Sequence, residues 1–323
     1  MIDSSSDLFG YNYQKNAGFY MQMSLQKRAT IISTSVATLL LIVKLSIGIA
    51  SGSVAVLASA IDSMLDMGIS IFNFFAIKKS EEKPNEYYQY GKGKVQAIAG
   101  VIEGTVITLS GLFIIYEAFN KWFNAKQTVL LMPSIMVMFI SIIATYLLVR
   151  YLLKIAKLTD NLVIKADALH YKTDLWSNAA VLVSLFLVYA TGIDKIDALF
   201  GLMIGVYIIY SAYEIIVEGI EILLDRALDK DIVDEIESII LSHKKVNSFH
   251  WLKTRSDGVF NFVEFHLVLE PDMILLDAHT IAEEIEESVM KLDTNRRWVI
   301  TPHFDPYDDE EMNEALLQRV NNG

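Results

Sequence analysis

The sequence predicts a membrane α-helical bundle of six transmembrane helices, followed by a cytoplasmic α+β domain of order αββαβ. Three observations lead there. Hydrophobic residues make up 53% of the 323. Over the first two-thirds of the chain they gather in long, near-continuous runs, whereas the last third has the mixed composition of a soluble domain. A soluble protein spreads its apolar residues at periods of 3.6 or 2, while a hydrocarbon core of about 30 Å needs about 20 in a row. Residues 1–26 are polar and aromatic, with neither a basic start nor a small-residue cleavage site. The first run is therefore expected to stay as a span.

Six runs have the required length: 29–51, 54–78, 95–119, 129–153, 162–190 and 196–220. Only Ser51-Gly52-Ser53 separates the first two, so a tight hairpin is expected. Lys27 and Arg28 precede the first run, Lys78, Lys79, Lys83, Lys92 and Lys94 follow the second, and Arg150, Lys154, Lys157 and Lys165 sit near the junction of the fourth and fifth. The opposite loops hold only Lys121, Lys126 and Lys195. By the excess of basic residues on the inner side, both termini are expected in the cytoplasm of an inner or plasma membrane. The expected organisation is a cytoplasmic segment at 1–28, the bundle at 29–225, a soluble domain at 226–307 and an acidic tail at 308–323.

In the soluble part, Asp231–Leu241 has helical periodicity. Asn247–Arg255 and Val259–Leu269 alternate as strands around Ser256-Asp257-Gly258, a hairpin turn. Leu276–Leu292 reads as an amphipathic helix and Trp298–His303 as a last strand. Helices on one face of a small sheet follow from that order. The chain has no cysteine, which excludes disulfides and thiolate metal sites. Its net charge of −12 argues against a nucleic-acid partner. No nucleophile–base pairing, glycine-rich phosphate loop or oxyanion motif points to an enzyme.

Ionisable residues interrupt the runs in two matched places. The second contains Asp62-Ser-Met-Leu-Asp66 and the fifth His170-Tyr-Lys-Thr-Asp174. A spacing of i, i+4 puts both members of a pair on one helix face. Charged groups at the bilayer centre cost about 2.5–3.5 kcal/mol each on insertion scales, so four need a shared purpose. At ~1.5 Å per residue, Asp62 and Asp174 fall roughly 16 and 18 Å from the inner end, and Asp66 and His170 roughly 10 and 12 Å. Antiparallel helices at matching depth can bring one imidazole and three carboxylates together, a donor set that suits tetrahedral Zn²⁺ better than octahedral Mg²⁺. Ser70, Asn73 and Asn178 continue the two faces and are expected to line a hydrated path. Glu103 is expected to face the bundle interior. Lys44 is expected to snorkel to the outer interface.

At these residues the chain resembles the cation diffusion facilitator family, in its bacterial zinc and iron efflux branch. The resemblance spans most of the chain and rests on the Asp-x-x-x-Asp of the second span, the His-x-x-x-Asp of the fifth and the cytoplasmic tail. It implies a homodimeric, proton-coupled antiporter exporting Zn²⁺, with cadmium, cobalt and iron as further substrates. Its transport site would fall on Asp62, Asp66, His170 and Asp174. In the tail it implies a binuclear regulatory metal site of His250, His266, His279, His303 and Asp305, with Zn²⁺ as ligand. It also pairs Lys94 with Asp225 as a charge link. The weaker loop site of some members has Asn85, Tyr88 and Lys92 at its positions here, so none is expected. Phe304 stands where a polar residue usually adjoins the regulatory site. Two other readings stay open: a manganese or iron exporter on the same scaffold, and a membrane-anchored metal sensor whose bundle is only an anchor.

Overall fold

The computed structural model describes residues 24–51, 54–123, 132–191, 195–293 and 296–308. Some side chains within the helices, that of Asp62 among them, lie outside the described residues, as do the Gly52-Ser53 hairpin tip and most of the acidic tail. Among the described residues the order is α1 (Leu25–Ser51), α2 (Val54–Ser80), α3 (Val95–Phe123), α4 (Met132–Thr159), α5 (Leu162–Thr191), α6 (Lys195–Leu223), α7 (Lys230–Ser242), β1 (Ser248–Ser256), β2 (Phe260–Val268), α8 (Leu275–Met290) and β3 (Arg297–Asp305). The six expected spans are α1 to α6. Several run past their apolar stretch, because a helix ends where its hydrogen-bond ladder ends and not where lipid does. Compactness divides the chain into residues 1–89 with 95–219, and residues 90–94 with 220–323.

In the first unit, α1 packs on α2 and α4, α4 on α5, and α3 on α2 and α5. Its centre holds Ile77, Leu148, Leu152 and Ile164, each no more than 3% exposed. Helices α3 and α6 approach through glycine: a Cβ on Gly205 would stand 2.9 Å from the Gly111 carbonyl oxygen. Small residues at such crossings let helix backbones close up where no hydrophobic drive exists between helix and lipid. Large apolar side chains such as Leu39, Phe113 and Tyr210 point outward and are at least 60% exposed, as a lipid-facing surface demands. Among the described residues, four segments are long and apolar enough to cross a membrane: Leu25–Ile47, Val95–Asn120, Phe139–Thr159 and Ala198–Leu223. Helices α2 and α5, which carry the paired motifs, stand outside that set.

Lys44 does not snorkel. It lies in the buried stripe Ala37, Leu40, Lys44 of α1, and its Nζ donates to Ser63 Oγ of α2 at 2.7 Å. The spacing i, i+3, i+7 turns it to the neighbouring helix, where the Ser63 hydroxyl accepts a hydrogen bond from its N–H.

In the second unit, β1 pairs antiparallel with β2, and β2 parallel with β3. The parallel pair needs a crossover, which α8 supplies. At the β1–β2 turn, Asp257 Oδ1 accepts from Val259 N at 2.8 Å and Phe260 N at 2.7 Å, and Gly258 takes φ 90°. The expected hairpin is thus built by an aspartate turn followed by the residue that tolerates positive φ. Val263, Phe265 and Leu267 of β2 join Ile236 and Ile240 of α7 and Ile281 and Ile285 of α8 in one core. Alternation along β2 then sends Glu264 and His266 to the opposite face. Phe304 pairs with Leu267 in register and packs against that core. It therefore points away from the face that carries His266, His303 and Asp305, contrary to the sequence expectation, because it sits between His303 and Asp305 on a strand of period two.

Candidate metal centres

Two groups of potential metal ligands stand out among the described residues: Asp66, His170 and Asp174 in the bundle, and His250, His266 and Asp305 in the sheet domain. In each, one ligand atom per residue lies within 4.8 Å of the others.

In the bundle, His170 Nε2 stands 3.1 Å from Asp66 Oδ1 and 3.6 Å from Asp174 Oδ2. Helix α5 supplies two of these side chains one turn apart, and α2 supplies the third across the helix–helix contact. Asp62 lies one turn from Asp66 along α2; its side chain is outside the described residues. His170 is buried, with Tyr171 edge-on at 5.5 Å between ring centroids. The Tyr171 hydroxyl shares a 2.8 Å hydrogen bond with Ser70 of α2, so the face that carries Asp66 continues in polar contacts to α5.

One turn further along α2, Asn73 Nδ2 donates to Glu103 Oε2 of α3 at 3.0 Å and to Asp167 Oδ1 of α5 at 3.3 Å. Exposure is 0% for Asn73 and Asp167 and 2% for Glu103. Glu103 thus faces the interior as expected. Asp167 was not singled out in the sequence, although its place three residues before His170 puts it on the same helical face. Beyond it, Asn161 Nδ2 donates to Gln96 Oε1 at 2.8 Å and Gln96 Nε2 to Ser80 Oγ at 2.7 Å, a buried chain that ties the start of α5 to α3 and α2.

In the sheet, register explains the second group. His250, His266 and His303 occupy one aligned row across β1, β2 and β3. Asp305 follows His303 by two residues and so shares its face. Its carboxylate stands amid all three imidazoles: 2.7 Å from His266 Nδ1, 3.4 Å from His250 Nε2 and 3.3 Å from His303 Nε2. The His250 side chain is fully buried, whereas His303 is 65% exposed. A bulge between His250 and Lys253 interrupts β1, and Trp251 inside it adopts φ 54°. That costly backbone turns the Trp251 ring against His266, 5.3 Å between centroids. His279 does not join. It lies on α8, which packs on the other face of the sheet, and is exposed beside Glu283 at 3.5 Å.

Lys94 Nζ donates to Asp225 Oδ1 at 2.9 Å and to the Leu223 carbonyl at 3.2 Å. The hydrogen bond from Lys94 holds the Asp225 carboxyl below the usual range, helped by Arg255. At the loop position where no site was expected, Asn85 Oδ1 accepts from the backbone of Tyr87 and Tyr88, both at 3.0 Å. Its oxygen is engaged in shaping a turn.

Comparison with known proteins agrees with these features. The model of the cation efflux transmembrane domain matches residues 30–224, and that of the cation efflux protein cytoplasmic domain matches 228–307. The cation-efflux pump FieF of Cronobacter sakazakii is 34% identical over 266 residues, 82% of this chain and 88% of its own length. FieF of Escherichia coli K12 is 32% identical over 267 residues, 83% of this chain and 89% of its own. A solved structure of a candidate zinc transporter, CzrB, is 26% identical, covers 24% of this chain and 98% of its own, and gives a TM-score of 0.22. The chain belongs to the cation efflux, or cation diffusion facilitator, family: it is an integral membrane transporter of divalent metal cations and not an enzyme.

Proposed function

We propose that the protein exports Zn²⁺ from the cytoplasm in exchange for protons, through alternating access of a site made by Asp62, Asp66, His170 and Asp174. The observation that carries this reading is the convergence of Asp66, His170 and Asp174, from two helices, to within 4.8 Å. One imidazole with carboxylates is a donor set that Zn²⁺ accepts in tetrahedral geometry. Three carboxylates and a neutral imidazole around a dication leave a net charge of −1, so an arriving proton weakens the hold on the ion.

The proton coupling follows from shared atoms. The nitrogen of His170 that would bind metal lies in hydrogen-bonding reach of Asp66 at 3.1 Å. Without a metal, a proton on that nitrogen bridges the two groups; a metal needs the same lone pair. Protons and metal therefore exclude one another. The basic inner loops orient both termini to the cytoplasm of the inner membrane, with residues 1–28, 29–225, 226–307 and 308–323 as N-terminal segment, bundle, soluble domain and tail. In the soluble domain His250, His266, His303 and Asp305 would hold a regulatory metal. The family domain matched over residues 228–307 is a dimerisation module, which supports a homodimer. Metal bound there would favour association of the two soluble domains and bias the bundle between its states.

The test is zinc flux into proteoliposomes with and without an outward-directed (interior-acid) proton gradient, for the wild type and Asp174→Ala. Wild-type flux should rise with the gradient, and the variant should lose it while keeping its elution as a folded dimer. Unimpaired flux in the variant rejects the transport site, and flux indifferent to the gradient rejects the coupling. Replacing zinc by manganese, iron, cobalt or cadmium ranks the substrates.

A further inference from the structure

The Glu103–Asn73–Asp167 group raises a question that the transport site does not answer. Two carboxylates, at most 2% exposed, share a single amide donor. Glu103 Oε1, Asp167 Oδ2 and Asn73 Oδ1 have no hydrogen-bond partner among the described residues. The Ser33 hydroxyl of α1 is a further hydrogen-bonding neighbour of Asp167, shared with the Thr30 carbonyl that it reaches at 3.1 Å. Buried polar atoms ordinarily find partners, and each one left alone bears its full desolvation penalty, larger still when charged. The next polar layer obeys that rule: Ser80, Gln96 and Asn161 are at most 3% exposed and bond to one another in series. Apart from the Thr173 and Ser177 hydroxyls further along α5, the orphaned oxygens of the bundle belong to one layer, between the satisfied chain and the Asp66–His170–Asp174 group.

We propose that Glu103, Asp167 and Asn73 form a second cation position in the bundle, made of oxygen donors only, through which the divalent ion passes on its way to Asp66, His170 and Asp174. The proposal rests on the reading of the bundle as a divalent-cation path. Three helices, α2, α3 and α5, each contribute one oxygen ligand. The Asn73 amide, which without a cation presents its N–H to both carboxylates, can turn over and present its oxygen. A dication meeting two carboxylates and one neutral oxygen is electrically balanced, which makes burial tolerable. Lacking the imidazole of the transport site, this position holds borderline metals less tightly, as a waypoint must if the ion is to move on.

The competing account is that the carboxyls merely share a proton. Glu103→Gln and Asp167→Asn separate the two, since each amide copies the shape of a protonated acid without its charge. In proteoliposomes, both variants should raise the KM for zinc at least tenfold. Elemental analysis after equilibrium dialysis of the purified full-length chain should find one zinc fewer per protomer. Wild-type KM and zinc count in both variants overturn the proposal and leave only the shared proton. If neither variant elutes as the wild type does, anomalous scattering from wild-type crystals soaked in cadmium decides. A peak among the three side chains supports the position, and a peak at Asp66, His170 and Asp174 alone overturns it. Asp174→Ala, run alongside, reports on the transport site by itself, so failure of that reading is told apart from failure of this one.

Discussion

The bundle and the sheet gather nitrogen and oxygen ligands by opposite means. In the bundle two carboxylates and one imidazole come from α2 and α5, held by side-chain packing and a few polar contacts such as Ser70–Tyr171. In the sheet three imidazoles surround one carboxylate, and main-chain hydrogen bonds between β1, β2 and β3 fix the row His250, His266, His303. Helices can shift past each other by repacking, while strands must break ladder bonds to do so. The anionic, movable group suits an ion that must be released against protons. The imidazole-rich, rigid group suits an ion that stays.

If that contrast holds, the two groups separate by mutation. Asp174→Asn keeps the shape and removes one charge from the bundle site; zinc flux should fall on the order of 100-fold or more, comparable to or beyond the loss of an outer-shell partner. Asp305→Ala should instead leave flux within a few-fold. It removes the carboxylate common to all three imidazoles, so zinc affinity of the soluble domain should drop about 10–100-fold, read by titration of the full chain against a competing chelator. Flux lost as completely in Asp305→Ala as in Asp174→Asn would mean that the groups act as one.

Stability offers a third, smaller probe, at the segment 90–94 that belongs to the second unit. A Cβ on Gly93 would run into the Asp257 carboxylate. That carboxylate cannot swing aside cheaply, since it accepts the backbone N–H groups of Val259 and Phe260. Gly93→Ala is expected to cost about 1–3 kcal/mol, as overpacking does. Its melting transition in detergent should fall while zinc flux of the surviving folded protein stays near normal.

Much of this was legible in the sequence wherever one element decides the geometry. Asp62/Asp66 and His170/Asp174 follow from helix period, and the shared face of His303 and Asp305 from strand period. The same strand period turns Phe304 away from that face. Lys44 is equally readable from its stripe with Ala37 and Leu40; only as a lone charge beside lipid does it read as a snorkelling residue. Asp167 is hard to read because it lies two residues from Lys165 near the basic inner end of α5, and only the approach of α2 and α3 puts Asn73 and Glu103 against it. His279 depended on which way α8 turns over the sheet. Contacts between elements distant in the chain are set by tertiary packing, which period alone does not carry.

The weakest expected effect lies in the charge link. Lys94 and Asp225 are 36% and 46% exposed, so water and salt screen them and the pair contributes about 0.2–1 kcal/mol. Asp225 sits at φ 58°, a conformation asparagine also tolerates, so Asp225→Asn removes the charge with little backbone strain. The sign of the pH dependence follows from the lowered carboxyl. The stabilisation is fully present above the ordinary aspartate value of about 3.9 and fades as pH falls through the lower folded value. Wild type and Asp225→Asn should therefore differ in melting temperature at pH 7, converge in acid, and converge again at about 1 M salt, where the screening length shrinks to roughly 3 Å. A gap that survives both acid and salt would show that Asp225 acts through its backbone position. The link would then owe its strength to the turn after α6, not to charge.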